Sequence, residues 1–236
     1  MIKAHEYQPQ VVKQAYNRRG WIYSKTVAPM EWEYHLAALD QANIQPGENV
    51  LEVAVGPGLT AAEIAGRVGK ETPFHGTDIS TGMLTLTEQR LRANGFTQFQ
   101  LKEGNARQIP FESNTFDVLY NGYMLDLIAE GEMPGILAEF KRVLKPGGRM
   151  ILLNMSKANK EVVLFREKLY RLLPPKPVLY LMGGCRPVLM EDLTWQAGFQ
   201  QVRRTYLAGT APSEIVTATK PANENSTFQK MDQNHT

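Results

Sequence analysis

The stretch Asn49-Val50-Leu51-Glu52-Val53-Ala54-Val55-Gly56-Pro57-Gly58 reads as a buried strand, Asn49 to Ala54, running into a Gly/Pro turn. Gly56 and Gly58 let the backbone pass close to a ligand and take torsions denied to other residues, and Pro57 stiffens the turn between them. In an open parallel sheet, ligands sit beyond the carboxyl ends of the strands, where strand order reverses. The turn after this first strand is therefore where a ligand is expected. Two glycines alone are weak evidence, because a plain tight strand-to-helix turn also uses them.

Two acids sharpen the reading. Glu52 lies inside an apolar strand, and a buried carboxylate needs a partner. The N–H groups of its own loop or a cationic ligand would each serve. Asp78 ends a second strand, Pro73 to Thr77, and is followed by Ile79. An acid in that place accepts both hydroxyls of a ribose; the alternative is capping of the next helix, a task for which Ser80 is also available.

Outward from these, strands and helices alternate. A helix is expected from about Leu59 to Arg67, and another from Ser80 to about Ala93 with Asn94-Gly95 as its stop. Phe99 to Leu101 and Phe116 to Tyr120 read as the third and fourth strands. A helix from Pro134 to Leu144, ended by Lys145-Pro146-Gly147-Gly148, leads to a fifth strand at Met150 to Leu153. After a helix near Leu189–Ala197, Val202 to Leu207 and Ile215 to Thr219 close the sheet. The fold class is α/β: a doubly wound, mostly parallel seven-stranded sheet with an antiparallel last strand and an N-terminal helical lid. Residues 1–43 form the lid and 44–220 the main domain, with an insertion at about 157–188. The polar tail 221–236 is expected to be disordered.

The 236 residues suit one such domain. A net charge of +2 gives no push toward nucleic acid. Cys185 is the only cysteine, which rules out an internal disulfide and a multi-cysteine metal site. No signal-like or membrane-spanning run is visible. A cytoplasmic protein without metal is expected, a monomer or weak homodimer.

With these residues in view, Glu52 to Gly58 resembles the first motif of class I S-adenosylmethionine (SAM)-dependent methyltransferases. Gly104-Asn105-Ala106, Ile109-Pro110-Phe111 with Phe116-Asp117-Val118, and Arg142 to Gly148 resemble that family's later signatures, in order from about Gly47 to Lys220. The chain is most similar to the ubiquinone/menaquinone-biosynthesis C-methyltransferases. The resemblance implies SAM as cofactor, with Gly56, Gly58 and the backbone near Ala54 approaching its methionine part. It places Asp78 on the ribose, Ile79 and Met83 against the adenine, and Asn105 and Ala106 at the adenine edge. Asn121 would offer its backbone carbonyl to the methionine amino group. Ala54 stands where Gly is usual and Asn105 where Asp is common. A dinucleotide reading fares worse, because the third small residue of its glycine pattern is met only by Ala61.

The sulfonium is already an activated electrophile, so alignment and exclusion of water are the main tasks. No residue is assigned as catalytic base. His5, His35, His75 and His235 read as structural or solvated, and Asp126 as a proton acceptor or a helix cap. Tyr16, Trp21 and Tyr23 would close over the cofactor or simply pack, and Arg18, Arg19 and Lys25 would meet its carboxylate or be solvated. Tyr123, Met124 and Asp126 sit where the acceptor should lie. In the insertion, Val162 to Phe165, Leu169, Leu172, Leu173 and Val178 to Met182, interleaved with Arg166, Lys168, Arg171 and Lys176, would pack on the sheet or, where exposed, suit an apolar acceptor or a peripheral membrane contact. Gly183-Gly184 would hinge a lid, and Arg186 would meet an anionic head group. The expected function is methyl transfer to a small, apolar or aromatic acceptor such as a quinol, phenol or lipid. The alternatives are a SAM-fold binding or regulatory protein without methyl transfer, and an RNA or protein methyltransferase.

Overall fold

In the computed structural model, β1 (Val50–Val53) lies at the centre of a seven-stranded sheet of order β3-β2-β1-β4-β5-β7-β6. The description covers residues 7–174, 179, 184–209 and 211–222, without the side chains at 19, 21–24, 26–29, 166 and 169–171. His5, His235, Lys176, Val178, Tyr180 to Gly183, the tail beyond Ala222, and the side chains of Arg19, Trp21, Tyr23, Arg166, Leu169 and Arg171 therefore lie outside the described residues.

The other strands are β2 (Phe74–Asp78), β3 (Phe99–Glu103), β4 (Phe116–Gly122), β5 (Leu144–Met155), β6 (Gln200–Leu207) and β7 (Ser213–Thr219). All pairings are parallel except those of β7, which runs antiparallel to both β5 and β6. The expected fold class stands. Strand order reverses between β1 and β4, so ligand space opens beyond the ends of these two strands and their neighbours.

Buried apolar side chains fill both faces. One layer, under α4 (Met133–Val143), holds Leu51, Val53, Leu119, Phe140, Leu152 and Phe199. The opposite layer holds Val50, Val118, Tyr120, Ile151 and Leu153, beneath α2 (Leu59–Val68) and the C-terminal half of α1 (Pro9–Ala42). Both faces of these strands are covered, which is why their sequences read as apolar runs rather than alternations.

The structure differs from expectation at β5. The strand starts at Leu144, and Lys145 to Gly148 form part of it instead of a turn before it. The register jumps from Phe116 opposite Leu144 to Val118 opposite Arg149, so this segment bulges beside β4. Gly147 takes φ +80°, and a Cβ on Gly148 would lie 2.9–3.1 Å from three backbone oxygens. Glycine is required at both places for steric reasons.

The N-terminal helical region is a single 34-residue helix. Its C-terminal part buries Ala38, Leu39 and Ala42 on the sheet. Its middle rests on α3 (Thr81–Ala93): Gly20 meets Met83 and Leu86, and Gly82 meets Asn17. Asn17 Oδ1 accepts Ser80 Oγ at 2.6 Å and the Gly82 N–H at 3.1 Å, tying α1 to the start of α3. The insertion carries α5 (Phe165–Leu172), and α6 (Glu191–Gln196) precedes the closing strands. Among the described residues, no helix is long and apolar enough to cross a membrane.

Candidate functional site

The loops after four neighbouring strands line one pocket. Following the order of the strands, it takes Gly104 to Arg107 after β3, Asp78 and Ile79 at β2, Ala54 and Gly56 after β1, and Gly122, Tyr123, Met124, Leu127 and Ile128 from β4 onward. Tyr7, Pro9, Val12 and Tyr16 line it from the N-terminal side, and Met83 from α3.

The loop after β1 is braced rather than free. Ala54 takes φ +62°, where a Cβ is strained, and its N–H donates to Thr77 O at 2.7 Å. Thr87 Oγ1 donates to Gly56 O at 2.8 Å and Arg90 Nε to Pro57 O at 3.0 Å. A Cβ on Gly56 would meet nothing within 4 Å, so the loop presents bare backbone there. Asp78 is buried, with Oδ2 accepting the Gly56 N–H at 3.0 Å and Oδ1 accepting the Ser80 N–H at 2.8 Å. Burial pushes its carboxyl up to about 6, against these backbone hydrogen bonds. Ser80 caps α3 through the Met83 N–H at 3.2 Å, so that role does not fall on Asp78.

Of the site residues expected from sequence, Ala54, Gly56, Asp78, Ile79, Met83, Asn105 and Ala106 line this pocket, while Glu52, Gly58 and Asn121 do not. Glu52 lies beneath the loop, where Thr60 Oγ1 donates to its Oε1. Burial pushes its carboxyl up to about 8, with the nearby Asp78 adding to the shift. Gly58 faces α3 instead, with its missing Cβ 2.7 Å from Thr87 Cα. Asn121 is fully buried and donates from Nδ2 to Val53 O at 2.8 Å, linking β4 to β1.

Two further expectations need correction, those for Arg186 and Asp126. Arg186 does not project toward an external head group: it donates to Ile128 O at 2.5 Å and pairs with Glu130 at 3.2 Å. Asp126 is fully buried, accepts the Met155 N–H at 3.2 Å and is absent from the pocket lining. His35 packs edge-on to Tyr123, and its Nδ1 lies 2.6 Å from Tyr120 Oη; burial lowers its pKa to about 4. His75 packs against Phe111 and Phe116. Among the described residues, no cluster of His, Cys, Asp or Glu could hold a metal. Tyr16 lines the pocket, whereas Arg18 and Lys25 are exposed.

Residues 13–182 match the ubiE/COQ5 methyltransferase family. The chain belongs to that family. A demethylmenaquinone methyltransferase from Symbiobacterium thermophilum is 33% identical over 165 residues, 68% of this chain and 65% of the relative. The Bacillus subtilis demethylmenaquinone methyltransferase is 34% identical over 114 residues, 48% of each chain. This chain thus spans between about half and two thirds of the length of these relatives. Among solved structures, a SAM-dependent methyltransferase from Aquifex aeolicus superposes with a TM-score of 0.60 at 18% identity, covering 91% of this chain and 100% of that one. The cyclase SpnF superposes with a TM-score of 0.72 at 15% identity, covering 94% and 99%. At such identities the likeness shows the fold, which several chemistries share.

Within this ubiE/COQ5 family fold, sequence reasoning missed Val12, Thr77, Arg107, Leu127 and Ile128 as lining residues. Val12 and Tyr16 carried a signal, since residues four apart share a helix face. Arg107 had none beyond its closeness to Asn105. Leu127 and Ile128 enter through a short 3₁₀ turn, Leu125–Leu127, that no periodicity announces.

Proposed function

We propose that this chain transfers the methyl group of SAM to a small apolar or aromatic acceptor of the quinol kind. The observation that supports it is one pocket whose wall changes along the strand order. It is polar at β2 and β3, with Asp78 at β2 suited to a ribose, presents bare backbone at β1, and is apolar at Tyr123, Met124, Leu127 and Ile128 beyond β4. Bound SAM would supply an electrophilic methyl group. Asp78 would accept the ribose hydroxyls, and Ile79, Met83 and Ala106 would flank the base. The Ala54–Gly56 backbone would lie along the methionine part. Tyr123, Met124, Leu127 and Ile128 would orient the acceptor behind the methyl, and the N-terminal lid, through Val12 and Tyr16, would exclude water. The names of the relatives, demethylmenaquinone methyltransferases, support a quinol as acceptor.

Calorimetry with S-adenosylhomocysteine tests the assignment. The wild type is expected to bind, and Asp78→Ala to lose about tenfold or more in affinity, since a buried diol contact disappears. Undiminished binding by the variant would remove Asp78 from the site. Transfer of label from methyl-labelled SAM to a demethylated quinol separates methyl transfer from a fold used only for binding.

The exposed face of α5 fits a membrane-surface role in delivering such an acceptor. Phe165 and Leu172 are 80% and 81% exposed. The stretch 157–176 holds six basic and two acidic residues, against +2 for the whole chain. Vesicles containing anionic lipid are expected to sediment the wild type and to lose the Phe165→Asp/Leu172→Asp double variant, with cofactor affinity unchanged. Equal recovery of both would end this reading.

A further inference from the structure

One polar cluster on the pocket wall has its donors and acceptors fixed by chemistry. Asn105 Oδ1 accepts the Arg107 backbone N–H at 3.1 Å and Arg107 Nη1 at 3.3 Å. Arg107 is in turn held by Glu132, with Nη2 2.5 Å from Oε2 and Nε 3.2 Å from Oε1. Such a fork-on-carboxylate pair restricts the guanidinium to one orientation. Asn105 and Arg107 both line the pocket.

Two N–H donors converge on one amide atom of Asn105, so that atom is the oxygen; an NH₂ group there would face two donors. What Asn105 retains for a ligand is its own NH₂. An aspartate in the same place would satisfy Arg107 with one oxygen and turn a second oxygen toward the ligand. The pair therefore presents a donor where an acid would present an acceptor.

The edge of a purine is sensitive to this difference. Adenine carries an amino donor at position 6 beside the N1 acceptor. A 6-oxopurine carries a carbonyl acceptor beside an N1–H donor. Resting on the proposed placement of the base between Ile79, Met83 and Ala106, we infer that Asn105, held by Arg107, is a specificity-determining residue for the base. Its donor relaxes the preference for a 6-amino over a 6-oxo purine relative to an acid at position 105.

The test is a cycle of two ligands and two proteins, which cancels effects common to both. Calorimetry measures S-adenosylhomocysteine and its 6-oxo (inosine) analogue on the wild type and on Asn105→Asp. The ratio of the two dissociation constants, analogue over parent, is expected to rise about tenfold or more in the variant. Asn105→Ala, which removes the donor without adding an acceptor, is expected to shift the ratio in the same direction by less. It serves as the second variant if the aspartate disturbs the loop. An unchanged ratio in proteins that bind S-adenosylhomocysteine would overturn this inference while leaving the cofactor site intact. No binding of either ligand by the wild type would overturn the cofactor site together with it.

Discussion

Glu52 and Ala54 sit two residues apart and show two kinds of local cost. Glu52 is visible in sequence as an acid in an apolar strand, and the structure buries it with Thr60 donating to one oxygen. Its carboxyl lies near 8 when folded, above an ordinary value of 4.5. A carboxyl whose folded value is raised holds its proton more tightly in the native state. Stability is therefore lost as pH climbs from about 4.5 to about 8. Glu52→Gln keeps an acceptor for Thr60 and removes the titration. It is expected to raise the melting temperature at pH 8 and to leave it nearly unchanged at pH 4.5, and an equal gain at both would refute the assignment. Ala54 looked like a minor departure from glycine. Its φ of +62° makes it a strained position, costing about 1–2 kcal/mol, which residue identity alone does not reveal.

At the scale of elements, the two loop glycines separate into different tasks. Gly56 opens onto the pocket, whereas Gly58 lets the start of α2 pass Thr87 of α3. Gly58→Ala combines φ +79° with a Cβ 2.7 Å from a backbone carbon, so it is expected to cost about 2–4 kcal/mol in urea unfolding. Gly56→Ala should cost about 1 kcal/mol, because only its backbone torsion is unfavourable. Similar losses for the two would contradict the division. The strands and most helices were legible because each is a local run with its own cap or stop. Ser80 and the Asn94-Gly95 end of α3 are examples. The start of β5 was not legible, because Lys145 to Gly148 form a bulge only by virtue of β4 lying alongside. The division of labour between Gly56 and Gly58 was equally hidden, since it depends on where α3 packs.

For the whole molecule, α1 rests on the sheet and reaches the pocket with Val12 and Tyr16. Asn17 fastens it to the start of α3 through two hydrogen bonds. We expect S-adenosylhomocysteine to slow amide exchange more in residues 9–20 than in 31–42, which are already held by the sheet. Asn17→Ala should weaken that protection and lower cofactor affinity about fivefold, the effect of losing roughly 1 kcal/mol of capping. Equal protection of both segments would argue against a lid. By itself the sequence determined the α/β class, the strand order of events along the chain, and the glycine loop with its two acids. Each of these depends on residues close together in the chain. Only the tertiary structure decided that Glu132 holds the Arg107 guanidinium, that Gly58 serves packing, and that Arg186 closes on Ile128 and Glu130. Those outcomes depend on partners brought from other elements, and a linear pattern carries no record of which donor reaches which acceptor.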